Sequence, residues 1–226
     1  MSVVPERMTL TPIDRVLLRD VALGRIRDAI VSGELAPGAV VKDAELAARL
    51  GLSVAPVRTA LARLADEGLV EAKPQSHTRV TPLVVRQVRD AAVVVGAMHE
   101  VATREAVPAL TADDLTAMRE ANAAFAAAID ADDLDAALDA DDRLHDVLLA
   151  RCGNAAVRAT VDRFTPLVRR LERQRFGAPG HPSVDLHDRL IAACAASDVG
   201  AAVATTTEIW TALLSGLSEE TPDGTV

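Results

Sequence analysis

With 226 residues, half of them hydrophobic but only 2% aromatic, the chain builds its core from Ala, Leu and Val, a composition that favours helices. It has no run near the ~20 apolar residues of a membrane span, and its opening MSVVPERMTL lacks a hydrophobic signal core, so we expect a cytoplasmic protein with no membrane partner. The net charge of −9 argues against nucleic-acid binding until it is divided. Residues 1–82 carry 11 Lys and Arg against 10 Asp and Glu, and residues 83–226 carry 13 against 23, so the acidity belongs to the second part.

In chain order, Thr11-Pro12 reads as a helix start, a capping hydroxyl followed by Pro at the first helical position. The segment to Ser32 places Val16, Leu17, Val21, Leu23, Ile26 and Ile30 on one face and stops at Gly33, before a Pro37-Gly38 turn. A short helix from Asp43 to Leu50 breaks at Gly51. Ser53 then caps a third helix running to about Gly68, with Pro56 tolerated in its first turn. The β-branched segments Leu69 to Pro74 and Thr78 to Leu83, around Gln75-Ser76-His77, predict a two-stranded ribbon. A boundary after Pro82 divides the chain into residues 1–82 and 83–226.

Beyond it everything reads as helix: 84–109, 112–130, 133–151, 155–175, 183–196 and 199–217, with a Gly/Pro loop from Gly177 to Pro182 and a frayed tail from Glu219. Thr111 and Asp132 are the expected caps of the second and third of these, and Gly153 ends the third. The expected fold is therefore mainly α, an N-terminal winged helix-turn-helix followed by an antiparallel bundle of about six helices. Cys152 and Cys194, the only cysteines, fall in apolar helical patterns and read as buried thiols, not a disulfide or a Cys-based metal site.

Two short helices joined by a tight Gly turn and followed by a ribbon can set the second helix into a major groove, its first turns at base edges. The candidates there are Ser53, Val54, Ala55, Arg58 and Thr59. Arg58 has the fork that pairs with guanine or grips phosphate. Lys42, before the short helix, and His77, Thr78 and Arg79, at the ribbon tip, are candidate DNA contacts, while Arg63 lies farther along and reads as a backbone or solvent contact. The same periodicity also describes an ordinary helical cluster with solvated charges.

The detailed string goes further. IVSGELAPG from Ile30 to Gly38, then AELAARLGLSVAPVRTALARLADEGLV from Ala44 to Val70, closely resembles the GntR family of regulators over residues 15–82. The resemblance implies a dimeric, operator-binding head. It departs from the family at Val54, where Arg usually follows the capping Ser, at Thr59, where Glu usually follows the helix Arg, and at His77, where the wing tip commonly has Gly. Val54 forgoes a polar contact and offers an apolar one to a thymine methyl.

In the body, Leu134 to Asn154 puts Asp141 and His145 one turn apart on or beside the stripe of Leu134, Leu138, Leu144 and Leu148. On the fifth body helix Val184, His187, Ile191 and Cys194 share a face, so His187 points inward. One carboxylate and two imidazoles suit a divalent metal such as zinc. The spacing equally describes a salt-bridged Asp141–His145 pair and a separate core His187. The motifs D-x-x-L-H at Asp141 to His145, C-G-N at Cys152 to Asn154, and Leu186-His187 with Asp198 downstream resemble the FCD ligand-binding domain of the FadR subfamily.

That resemblance implies a metal held by one Asp and three His, which in turn holds an organic-acid effector. Asp141, His145 and His187 match three of these ligands. The fourth falls at Ile209, which has no donor. Glu208 is misplaced by about 100° around the helix, and Thr206, one turn earlier, suits a metal-bound water. The arginine that meets the effector is absent as well, since Gly96 and Ala97 stand upstream of Glu100. His99 reads as a satisfied core or interface histidine, His181 as loop polarity, and Arg169, Arg170, Arg173 and Arg175 as a solvated helix face. The function expected is a homodimeric, sequence-specific transcription regulator, a repressor released by a small effector in the bundle. The alternatives are a regulator for which the metal is the signal and, from another class, a metal-dependent enzyme.

Overall fold

The structure, a computed structural model, describes residues 17–72, 78–176 and 182–215, the side chains of 72, 174 and 175 excepted. Thr11-Pro12, Val16, His77, His181 and the tail from Glu219 lie outside the described residues.

Helix α1 (Leu18–Ser32) buries Ala22, Leu23, Ile26 and Ile30 and ends at Gly33, whose φ of 85° closes the helix in the left-handed region. Leu17 and Val21 were expected on that face, but they are 43% and 39% exposed. The buried stripe is narrower because only one side of α1 meets helix α3 (Val54–Asp66). Helix α2 (Asp43–Leu50) joins α3 through Gly51, again left-handed at φ 65°. Ser53 holds the N-cap position of α3, but its side chain accepts no capping hydrogen bond.

The ribbon is a three-stranded sheet. Strands β2 (Val70–Ala72) and β3 (Thr78–Val80) pair as expected, and β1 (Val40–Val41) adds to the other side of β3, all antiparallel. Two residues are too few to show alternation, so β1 left no trace in the sequence. The head closes over Ile26, Ile30, Val57, Leu61, Leu64, Leu69 and Val80.

The body consists of α4 (Val85–Ala106, continued by a 3-10 turn at Val107–Ala109), α5 (Ala112–Asp130), α6 (Leu134–Cys152), α7 (Ala155–Phe176), α8 (Ser183–Ala195) and α9 (Val199–Leu214). Thr111 caps α5 in a full capping box with Asp114. The α6 cap is Asp133, whose side chain accepts from the Ala136 amide, and not Asp132, which turns the chain with a left-handed φ of 56°. Helix α4 packs on α6, α7 and α9, while α5 lies against α6 and α8. Both cysteines are free thiols; burial pushes that of Cys194 up to about 11. No described helix is long and apolar enough to cross a membrane.

Helix α7 also braces the head. Its Leu167 packs on the head core and lies 3.7 Å from where a Cβ on Gly68 would stand. Arg163 donates to the Asp66 carbonyl at 3.3 Å, and Arg170 donates to the Thr81 carbonyl at 3.1 Å.

Candidate functional site

On α3 the apolar positions Val57, Ala60, Leu61 and Leu64 are buried, which turns Ser53, Ala55, Arg58 and Thr59 outward together. The Arg58 side chain is 74% exposed, and its Nε donates to Asp43 Oδ2 of α2 at 3.0 Å. Thr59 Oγ1 donates back to the Ala55 carbonyl. Val54 does not reach outward with them; it is half-buried against the head core, so its apolar character serves packing. Lys42, at the N-cap position of α2, is exposed and paired with Glu45 at 2.7 Å. Arg79 lies on the central strand, level with Val40 on one side and Glu71 on the other. Exposed Arg63 faces Asp20 at 3.6 Å.

The body brings its three sequence candidates together. Asp141, His145 and His187 are 6%, 8% and 0% exposed, and one donor atom from each lies within 4.8 Å of the others. Asp141 Oδ1 stands 3.8 Å from His145 Nε2 and 3.4 Å from His187 Nε2. Donors bound at roughly 2.0–2.1 Å around a tetrahedral ion stand about 3.4 Å apart, so the spacing fits such an ion.

Asn122, which sequence reasoning missed, fixes the chemistry of this pair. Its amide nitrogen donates to Asp188 Oδ1 at 2.7 Å and to the Val184 carbonyl at 3.3 Å, leaving its carbonyl oxygen 3.1 Å from His187 Nδ1. That nitrogen therefore carries a proton, which leaves Nε2 as the ring atom turned toward Asp141. It faces a carboxylate oxygen of Asp141 across 3.4 Å. The spacing of these donors accommodates a divalent ion. The signal for Asn122 was legible, since it interrupts the apolar face formed by Met118, Ala121 and Phe125.

Arg169 and Arg170 are not a solvated face. Each is 7% exposed, because α7 packs that side onto the bundle and the head. Arg169 Nη1 lies 3.5 Å from Asp141 Oδ2 and 2.9 Å from Glu172 Oε2, and its Nη2 meets Asp142. Burial pushes the Glu172 carboxyl up to about 7, although the Arg169 charge pulls it down. Arg173 pairs with Asp135.

His99, expected to be a satisfied histidine, is 5% exposed and its Nδ1 has no hydrogen-bond partner among the described residues. Burial holds its pKa well below the usual histidine value, with the charges of Arg158 and Arg169 adding to the effect of His145. Glu208 is tied to Arg189 at 2.6 Å, away from the cluster, and Thr206 shares a 3.1 Å hydrogen bond with Thr103. The cluster opens on a cleft of about 1460 Å³ between α1 and the bundle, walled by His99, Asp141, His145, Arg169 and Trp210 and, from α1, by Arg27.

Residues 18–80 match the gntR family of bacterial regulatory proteins, and residues 90–212 match the FCD domain. The HTH-type transcriptional repressor RspR of Escherichia coli is 30% identical over 145 residues, 61% of this chain and 64% of that protein. An uncharacterized HTH-type transcriptional regulator of Streptomyces ambofaciens is 40% identical over 91 residues, 40% of this chain and 38% of that protein. The chain thus spans less than two thirds of the length of these relatives. Among solved structures, E. coli McbR/YncC superimposes with a TM-score of 0.76 at 22% identity, covering 87% of this chain and 95% of that one, a likeness of fold. With an FCD match over more than half its length, the chain belongs to the FCD-containing branch of the gntR family of bacterial regulatory proteins.

Proposed function

We propose that the chain is a sequence-specific DNA-binding transcription regulator, a repressor that a small effector releases from its operator. The observation that carries this reading is the outward face of α3, where Ser53, Ala55, Arg58 and Thr59 stand free of the head core at the end of a helix-turn-helix. Residues 1–82 act as the reading head, with Lys42, His77 and Arg79 as flanking phosphate contacts. Two copies reading half-sites about one helical turn apart supply the specificity that one small head lacks. RspR is named a repressor, as is the probable D-xylose utilization operon transcriptional repressor of Paenarthrobacter nicotinovorans, 37% identical over 92 residues. A metal-dependent enzyme is not the reading these relatives support.

In the body, residues 83–226, Asp141, His145 and His187 hold a divalent ion, zinc being the best match to two imidazoles and one carboxylate. Such an ion would neutralise the buried Asp141 and would supply a Lewis acid to an oxygen ligand entering from the cleft. Asn122 orients His187, and Arg169 balances the remaining carboxylates. Gly96, lacking any side chain to take an effector carboxylate, favours a second reading in which the ion itself is the signal. Selection of DNA from a random pool by the full-length protein, with and without added zinc, tests both. The expected result is a two-fold symmetric consensus whose recovery depends on an effector or the ion; failure to enrich any sequence overturns the regulator reading.

A further inference from the structure

We propose that His99 of α4 is a further ligand of the metal centre, standing in for the donor that Ile209 cannot supply. The inference rests on the reading of Asp141, His145 and His187 as a metal site. Three imidazoles lie in a row: the His99 ring is centred 5.1 Å from that of His145, and His145 lies 5.3 Å from His187. They come from α4, α6 and α8, with the His145 ring between the other two.

Among these rings His99 has a nitrogen that nothing in the fold explains. It is buried, and its Nδ1 has no hydrogen-bond partner among the described residues. Leaving such a group unsatisfied is unfavourable, a penalty that a leucine or phenylalanine of similar size would avoid. A cation satisfies it.

The packing around His99 also accounts for both departures of this chain from the FCD pattern. Trp210, next to Ile209 on α9, stacks on His99 at 5.2 Å with ring planes 26° apart. Trp210 comes so close to α4 that a Cβ on Gly96 would stand 2.9 Å from its Cγ. A side chain at position 96 would have to displace this ring, so the place of an arginine there is taken by Trp210. Ile209 is half-buried among the apolar residues of α4, α5, α6 and α8. Helix α9 thus contributes hydrocarbon and an aromatic slab where a ligand was expected, and α4 contributes an imidazole instead. The His99 nitrogens stand outside the set of three donors that lie within 4.8 Å of one another. Recruiting His99 therefore requires its ring to move toward those three donors.

The test uses the full-length protein stripped of metal and reloaded with zinc or copper(II). X-ray absorption on the zinc form and pulsed electron paramagnetic resonance on the copper form count the coordinated imidazoles. Three in the wild type and two in His99→Phe, which keeps an aromatic ring between His145 and Trp210, is the expected result. Zinc affinity, by competition with a chromophoric chelator, should fall by at least the ~10–100-fold typical of losing an outer-shell partner. Two imidazoles in the wild type, or a His99→Phe protein with unchanged affinity, overturns the role of His99. Because the wild-type count needs no variant, a misfolded His99→Phe protein leaves the test standing. His187→Ala separates the two layers: loss of metal there, with full binding in His99→Phe, keeps the three-residue site and removes His99. A wild type that takes up no metal removes both.

Discussion

At the scale of the residue, Arg58 combines reach with restraint. Its guanidinium is exposed, yet its Nε is held by Asp43 of the neighbouring helix, which leaves the outer nitrogens of the fork free to pair with a base or phosphate. Arg58→Ala should cost about 1–3 kcal/mol of operator binding with the helical content unchanged, measured by fluorescence anisotropy on a selected sequence. Equal affinity would move the reading surface off this face. His99 makes a different prediction. Its folded-state pKa lies well below 6.5 because the ring is buried, so on acidification the unfolded chain takes up this proton first. Stability of the metal-free protein should therefore rise with pH up to about 6.5 and fall as the pH is lowered below it. Urea midpoints across that range check it, and His99→Phe should flatten the dependence.

At the scale of the element, helix starts and stops were written in the sequence wherever a local backbone need met a suitable residue. Gly33, Gly51 and Gly153 each end a helix at positive φ, and Thr111 builds its capping box within four residues. The α6 cap fell one residue away from expectation because two adjacent aspartates compete and only the backbone decides which of them turns left-handed. Gly96 was legible only as an absence. In a helix interior Gly→Ala normally stabilises by about 1 kcal/mol. Here the new Cβ would meet Trp210 Cγ at 2.9 Å, and overpacking of this kind costs about 1–3 kcal/mol. Gly96→Ala should therefore lower the thermal midpoint and shift the fluorescence of Trp210, the only tryptophan. A more stable variant with unchanged emission would show that α4 and α9 are not in contact there.

At the scale of the whole molecule, α7 touches both the head and the Asp141 cluster. Arg169 reaches the carboxylates of the cluster, while Arg170, the next residue, grips Thr81 where the head leaves β3. A change of ion or ligand at Asp141 therefore has a short, stiff route to the reading helix through Leu167 and the head core. Arg170→Ala should leave zinc affinity unchanged and shrink the difference in operator affinity between loaded and stripped protein, a coupling typically worth 1–3 kcal/mol. Titrating operator DNA into both forms measures it. An undiminished difference would place the coupling elsewhere.

The sequence by itself determined the order and type of the helices, the turn between α2 and α3, the outward Arg58 and the inward Asp141, His145 and His187, because each depends on periodicity or on residues within a turn or two. Tertiary structure alone decided what depends on residues far apart in the chain. The strand β1, the burial of Arg169 and Arg170, the hydrogen bond that orients His187 through Asn122, and the meeting of His99 with Trp210 all join positions tens of residues apart. A local pattern shows which face of a helix turns inward, but only the packed bundle shows which other helix that face meets.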